Sequence, residues 1–158
     1  MKPWKALVVT VSLIVSVAAF GQGSPDPAIG SWTLNVAKSR YQPGPAPQSE
    51  QRTYEATADG EIHLTIHLHT ADGQSITQET IYRRDGKPHA LTNNSNIDSI
   101  ETFPIKGGAV RTTYFRGGKV VGNMRTSYSK DRKVLTLTQT VIRPSGETEH
   151  DVRVYDRQ

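Results

Sequence analysis

His63, His67 and His69 form the sharpest chemical pattern in the chain. Alternate residues of a strand share a face, so His67 and His69 would stand side by side. A strand can offer two imidazoles to one metal ion at that spacing. His63 lies four residues from His67, about 13 Å along an extended chain, too far to join them directly. A third ligand would have to come from a neighbouring strand, with Glu79 and Asp151 as candidates. The plainer expectation is that the histidines form the solvent face opposite Ile62, Leu64, Ile66 and Leu68. No metal and no cofactor is expected on that reading. Nucleophilic chemistry has less to build on. The chain has no cysteine and no G-x-S-x-G elbow, and neither a P-loop, a dinucleotide fingerprint nor a calcium loop is found.

A second set of residues suits binding rather than catalysis. Trp32, Tyr54, Tyr82, Tyr114 and Tyr128 fall on the apolar face of their segments wherever a pattern is visible, and Met124 joins them. Such side chains present an apolar body, and the tyrosines add a polar tip, which is the chemistry of a pocket for a small, partly apolar ligand. They would equally fill the interior of a closely packed barrel.

The elements that must position these residues are marked by a regular beat. Asp59-Gly60, Asp72-Gly73 and Asp85-Gly86 recur at a constant interval. Gly107-Gly108, Gly117-Gly118, Lys130-Asp131 and Ser145-Gly146 continue the beat less strictly. Asp-Gly and Gly-Gly tolerate the positive φ of tight hairpin turns. The intervening stretches are rich in Thr, Ile, Val, Tyr and Leu, which fit a pleated, half-buried surface. Ile62, Leu64, Ile66 and Leu68 alternate strictly with polar residues, and noisier alternation appears in Val120-Gly122-Met124-Tyr128, Leu135-Leu137-Val141 and Val152-Val154. Gly122 within a strand points to a bulge or bend. The reading is an all-β fold, a single antiparallel meander barrel of about nine or ten strands, with a β-sandwich as the alternative.

Three segments stand outside that rhythm. Met1 to Lys5 is a short basic head, Ala6 to Phe20 an apolar run, and Ala19 and Gly21 have the small-residue spacing that signal peptidase accepts. Residues 1–21 therefore read as a signal peptide, 22–28 as a flexible lead-in and 29–158 as the barrel domain. The apolar run is shorter than the about twenty residues of a spanning helix, so no membrane span remains after cleavage. Export follows, to periplasm or medium. Asn35 to Arg40 could form a helical turn capped by Asn35. Tyr41 to Pro47, rich in proline, reads as an extended loop over one end of the barrel, and Asn93 to Asn96 as a loop near the mouth.

The 158 residues carry a formal net charge of +4. The leader holds Lys2 and Lys5 and no acid, so cleavage halves that figure. The remaining basic residues are scattered, which argues against nucleic acid as a partner. An exported chain without cysteine takes nothing from disulfides, so its core must supply the stability.

Gly30-Ser31-Trp32 resembles the G-x-W opening of lipocalins. The longer pattern Trp32-x-Leu34-Asn35-x-x-Lys38-Ser39-x-Tyr41-x-Pro43-Gly44-Pro45-x-Pro47 resembles uncharacterised secreted bacterial proteins with lipocalin-like barrels, as does Tyr82-x-x-Asp85-Gly86-Lys87-x-His89. The resemblance implies a barrel with the Trp32 ring closing one end, near Tyr54 and Tyr128. The chain departs from lipocalins in lacking cysteine and in ending on Val152 to Tyr155, which reads as strand. Three functions fit: an exported carrier or sensor of a small, partly apolar ligand, an interaction module of the cell envelope, or a metal-assisted enzyme built on His67 and His69.

Overall fold

A computed structural model describes residues 26–158 apart from Asn93 and Ser95. The signal segment and the lead-in as far as Pro25 lie outside the described residues. The strands are β1 (Gly30–Leu34), β2 (Arg40–Gln42), β3 (Ser49–Ala56), β4 (Ile62–His69), β5 (Ser75–Tyr82), β6 (Pro88–Ala90), β7 (Ser99–Pro104), β8 (Val110–Arg116), β9 (Lys119–Tyr128), β10 (Val134–Ile142) and β11 (Thr148–Arg157). Ten of them form one antiparallel sheet in the order β5-β4-β3-β1-β11-β10-β9-β8-β7-β6, while short β2 pairs with β11 beyond the end of β1. The β1–β11 pairing joins the first strand to the last and curls the meander into a nearly closed barrel. Among the described residues no helix is long and apolar enough to cross a membrane.

The turns show why the beat is so regular. Thr57-Ala58-Asp59-Gly60 and Thr70-Ala71-Asp72-Gly73 share one sequence and one geometry. In each, the threonine hydroxyl donates to the aspartate. The same hydroxyl accepts the backbone N–H of Glu61 (3.1 Å) or Gln74 (2.9 Å). Asp85-Gly86 breaks the pattern, because the strands it joins, β5 and β6, do not pair. The third Asp-Gly marks the seam of the barrel, a correction to the hairpin reading. Asn35 caps a short 3-10 turn over Val36–Lys38, accepting from the Lys38 N–H at 3.2 Å.

The core packs around Trp32, Leu135, Leu137 and Tyr155, all fully buried, with Leu34 and Ile62 in the same cluster. The β8–β9 ladder carries the expected irregularity: its register shifts between Tyr114 and Phe115, opposite Gly122. A Cβ on Gly122 would stand 2.3 Å from the Thr140 carbonyl oxygen, a separation only glycine avoids. The bulge also corrects the phase read across it. Val120, which alternation puts inside, is exposed, and Val121 packs against the core.

The final strand requires the larger correction. Val152 is exposed, and the inward face of β11 is Asp151, Arg153 and Tyr155, with Asp151 and Tyr155 buried. Likewise β3 turns Glu50, Arg52 and Tyr54 inward, all buried. The interior thus carries buried charged side chains among its apolar ones.

Candidate functional site

A cavity of about 250 Å³ runs through the barrel above the core. Leu64 and Ile66 from β4, Ile100 from β7, Val110 from β8 and Met124 from β9 supply its apolar patches. Threonines interleave with these: Thr102 and Thr112 share a hydrogen bond of 3.2 Å across the β7–β8 pair. Arg52, Arg84 and Arg153 stand in the same wall, and among the described residues no aspartate or glutamate does.

Arg52 and Arg153 occupy one pole with a common carboxylate behind them. Glu50 accepts from Arg52 Nε and from the Tyr155 hydroxyl, the latter at 2.9 Å. Burial pushes the Glu50 carboxyl up, but Arg52 and Arg153 together hold it below the usual carboxylate range. Tyr155 lies under Arg52, whose guanidinium carbon is 5.2 Å from the ring centroid. Arg153 is less completely matched. One guanidinium nitrogen donates to Gln139 Oε1 at 2.5 Å, but its approaches to Glu50 and Asp151 are both 4.0 Å. Its Nε is buried with no hydrogen-bond partner among the described residues. Gln139 also accepts from the Tyr114 hydroxyl at 3.1 Å, and burial raises that phenol to about 12.

The register explains how this pole forms. Leu34 ends β1 abreast of Tyr155, while Thr33 pairs with Gln51. Tyr155 and Glu50 therefore flank the end of β1, where the Tyr155 hydroxyl reaches Glu50 from β11 to β3. Outside this pole, a depression of about 370 Å³ lies under Pro43, Pro45 and Pro47, where the proline segment crosses the barrel end. Asp151 and Glu149 line it, with Arg153 in the wall it shares with the inner cavity. Burial and a hydrogen bond with Glu149 raise the Asp151 carboxyl to about 6.

Arg84 stands at the other pole with Tyr82 and Tyr128. It is ion-paired to Asp26 of the lead-in and hydrogen-bonded to Tyr82, whose phenol burial raises to about 12. Arg84 Nε and the Tyr128 hydroxyl are buried without partners among the described residues.

Five of the six residues expected to contact a ligand, Tyr54, Tyr82, Tyr114, Met124 and Tyr128, line this one cavity. Trp32 is placed differently. It is fully buried below the cavity, its Nε1 donating to the Ala28 carbonyl at 2.7 Å and its ring 6.1 Å from that of Tyr128. The Arg157 guanidinium stacks 4.2 Å from the Trp32 ring centroid and donates to the Ile29 and Pro27 carbonyls at 2.9 and 2.6 Å. Trp32 thus floors the barrel and anchors the lead-in. His67 and His69 face outward and are exposed, each bonded to a β5 hydroxyl: Thr77 at 3.0 Å and Ser75 at 3.2 Å. Among the described residues no three histidine, aspartate or glutamate side chains group to hold an ion, and Asp151 lies inside the barrel.

The residues that alternation overlooked are Glu50, Arg52, Arg153 and Gln139. A signal for three of them exists in the chain: Glu50-x-Arg52-x-Tyr54 and Asp151-x-Arg153-x-Tyr155 repeat the order acid, arginine, tyrosine at period two. A repeated polar alternation ending in an aromatic is the mark of strands facing a polar interior.

No protein-family model matches this chain, and no curated protein sequence does. Solved structures share its architecture. Wild-type fluorescent protein UnaG superposes with a TM-score of 0.55 at 11% identity, over 82% of this chain and 96% of its own. A Schistosoma mansoni fatty acid binding protein in complex with arachidonic acid gives 0.56 at 12% identity, over 86% and 99%. Rv2717c from M. tuberculosis gives 0.52 at 18%, over 84% and 93%. The likenesses place the chain among fatty-acid-binding and lipocalin-like barrels in fold.

Proposed function

We propose that this protein is an exported carrier or sensor of a small, partly apolar molecule held inside the barrel, with an anionic head against Arg52 and Arg153. One observation carries the reading: the cavity wall mixes aliphatic and aromatic side chains with threonines and amides, and bears three arginines without a carboxylate among its described residues. Ligand sites are mostly apolar with a few placed polar groups. A buried guanidinium with a free donor is costly until an acceptor reaches it, and a carboxylate, sulfonate or phosphate head is the partner a guanidinium fork fits best. The volume, about 250 Å³, falls below the roughly 300–1,000 Å³ of pockets for drug-sized ligands, so the ligand is small. The S. mansoni neighbour, solved with arachidonic acid, supplies a barrel of this fold holding a fatty acid. The basic head and apolar run of residues 1–21 support export.

Native mass spectrometry of the protein purified from its own host tests both parts. The expected result is a mature N-terminus at or within a few residues of Gln22 and a small acid released on denaturation. A chain retaining Met1 in the membrane fraction would overturn export. A folded barrel that carries no ligand and takes up none would overturn the carrier reading.

A further inference from the structure

The cavity has two poles, and they differ in how closely their arginines are paired. At the first, Arg153 has Glu50 and Asp151 within ion-pair range, but both stand at 4.0 Å, beyond hydrogen-bonding distance. At the second, Arg84 is already ion-paired to Asp26, so that pole is neutral, yet Arg84 Nε and the Tyr128 hydroxyl remain without partners among the described residues. Buried polar groups are almost always hydrogen-bonded, and each exception calls for an occupant. A neutral acceptor satisfies these two groups without adding charge, whereas a second carboxylate would compete with Asp26 and bring an unmatched negative charge into the interior.

The backbone between the poles bounds the ligand's length. Tyr82, beside Arg84, lies abreast of Ile62, and Ile62 abreast of Ala56. Arg52 is four residues back along β3, about 13 Å of backbone at the rise of an extended strand. The same wall carries Tyr54, Leu64, Ile66 and Met124 interspersed with Gln78, Thr80 and one threonine from each of β7, β8 and β9.

We infer that the ligand is a two-ended acid, an apolar chain of about ten carbons with an anionic head at Arg52 and Arg153 and a neutral hydroxyl or carbonyl oxygen at Arg84 and Tyr128. This rests on the carrier reading and narrows it from anionic amphiphiles to hydroxy- or oxo-acids. The far oxygen accepts from Arg84 Nε, and a hydroxyl there also donates to the Tyr128 oxygen. Arg84 and Tyr128 are then the residues that distinguish this class from plain fatty acids.

Calorimetric titration of the mature protein with decanoate, 10-hydroxydecanoate and decanedioate tests the inference. The hydroxy acid should bind about tenfold more tightly than decanoate, since it satisfies donors that decanoate leaves unpaired. Decanedioate should bind more weakly than the hydroxy acid. In Tyr128→Phe, and in Arg84→Lys, which keeps a cation beside Asp26 but loses Nε, the hydroxyl advantage, read as the ratio of the two affinities in the same variant, should shrink to less than threefold. Decanoate and hydroxydecanoate binding equally to the wild type would overturn the two-ended ligand and leave the carrier reading standing. Decanedioate binding most tightly would overturn the neutral second pole. No binding of any of the three to folded protein would remove the carrier reading and this inference together.

Discussion

Glu50 is the residue on which the ionic pole rests, and Glu50→Gln is its most direct perturbation. The carboxylate is buried at 4% exposure, accepts from Arg52 and Tyr155, and lies 4.0 Å from Arg153. Glutamine keeps the volume and one acceptor oxygen but removes the charge that two buried guanidiniums share. Taking one partner from a buried ion pair costs about 3–5 kcal/mol, because the remaining charge stays desolvated. For a domain of this size that is a fall in melting temperature on the order of 10 °C or more. The control is Glu55→Gln on the same strand, which is exposed and should change stability by less than about 0.5 kcal/mol. Paired urea titrations of both variants read the difference. A Glu50→Gln variant that unfolds within about 0.5 kcal/mol of wild type would refute the claim that this carboxylate neutralises the interior. An anionic amphiphile should partly rescue the variant by supplying the missing charge, which a purely structural role for Glu50 would not produce.

Leu64 lines the cavity, so Leu64→Asp should cost several kcal/mol in a denaturant titration, while His67→Thr on the exposed face should cost less than about 1 kcal/mol. Asp151, buried and raised to about 6, holds its proton more tightly folded than unfolded, where a carboxyl titrates near 3.9. The folded state therefore binds more protons between those values, and this group's contribution to stability is lost as pH rises through that window. Asp151→Asn should remove that slope when the two stability–pH curves are subtracted; parallel curves would show that Asp151 does not titrate as described. Arg157→Leu removes the stacking on Trp32 and the bonds to the Pro27 and Ile29 carbonyls. It should red-shift Trp32 emission and lower stability by about 2 kcal/mol, consistent with lost buried charge-assisted bonds; an unchanged spectrum would mean that the lead-in is held otherwise.

Where one face of a strand is purely apolar, the sequence states its own orientation. The Ile62–Leu68 stripe on β4 does so, because only burial accounts for four branched residues at period two. The turns are legible for the same local reason: Thr-Ala-Asp-Gly closes on itself through its own side chains, independent of the rest of the fold. The seam is not legible, because Asp85-Gly86 has the chemistry of a hairpin while β5 and β6, the two ends of the sheet, stay unpaired. The ionic pole escapes a reading that looks for burial in apolar residues alone. On β11 the valines Val152 and Val154 carry the apolar alternation, yet Asp151, Arg153 and Tyr155 face inward. Their charges are tolerated there only because the matching carboxylate, Glu50, comes from β3, about a hundred residues away in the chain. Trp32 shows the reverse limit: its burial is legible, but its role as floor depends on Arg157 at the far terminus.

The central claim is that the barrel holds an anionic amphiphile against Arg153. Its most direct test is calorimetric titration of decanoate into the wild type, Arg153→Met and Met124→Trp, each shown to be folded by near-ultraviolet circular dichroism. The account predicts saturable one-to-one binding to the wild type in the micromolar range, about −8 kcal/mol. It also predicts at least tenfold weakening when the Arg153 charge is removed, and again in Met124→Trp, where an indole fills the space beside the smaller native side chain. Absence of saturable binding to the folded wild type, or equal affinity in all three proteins, would contradict it.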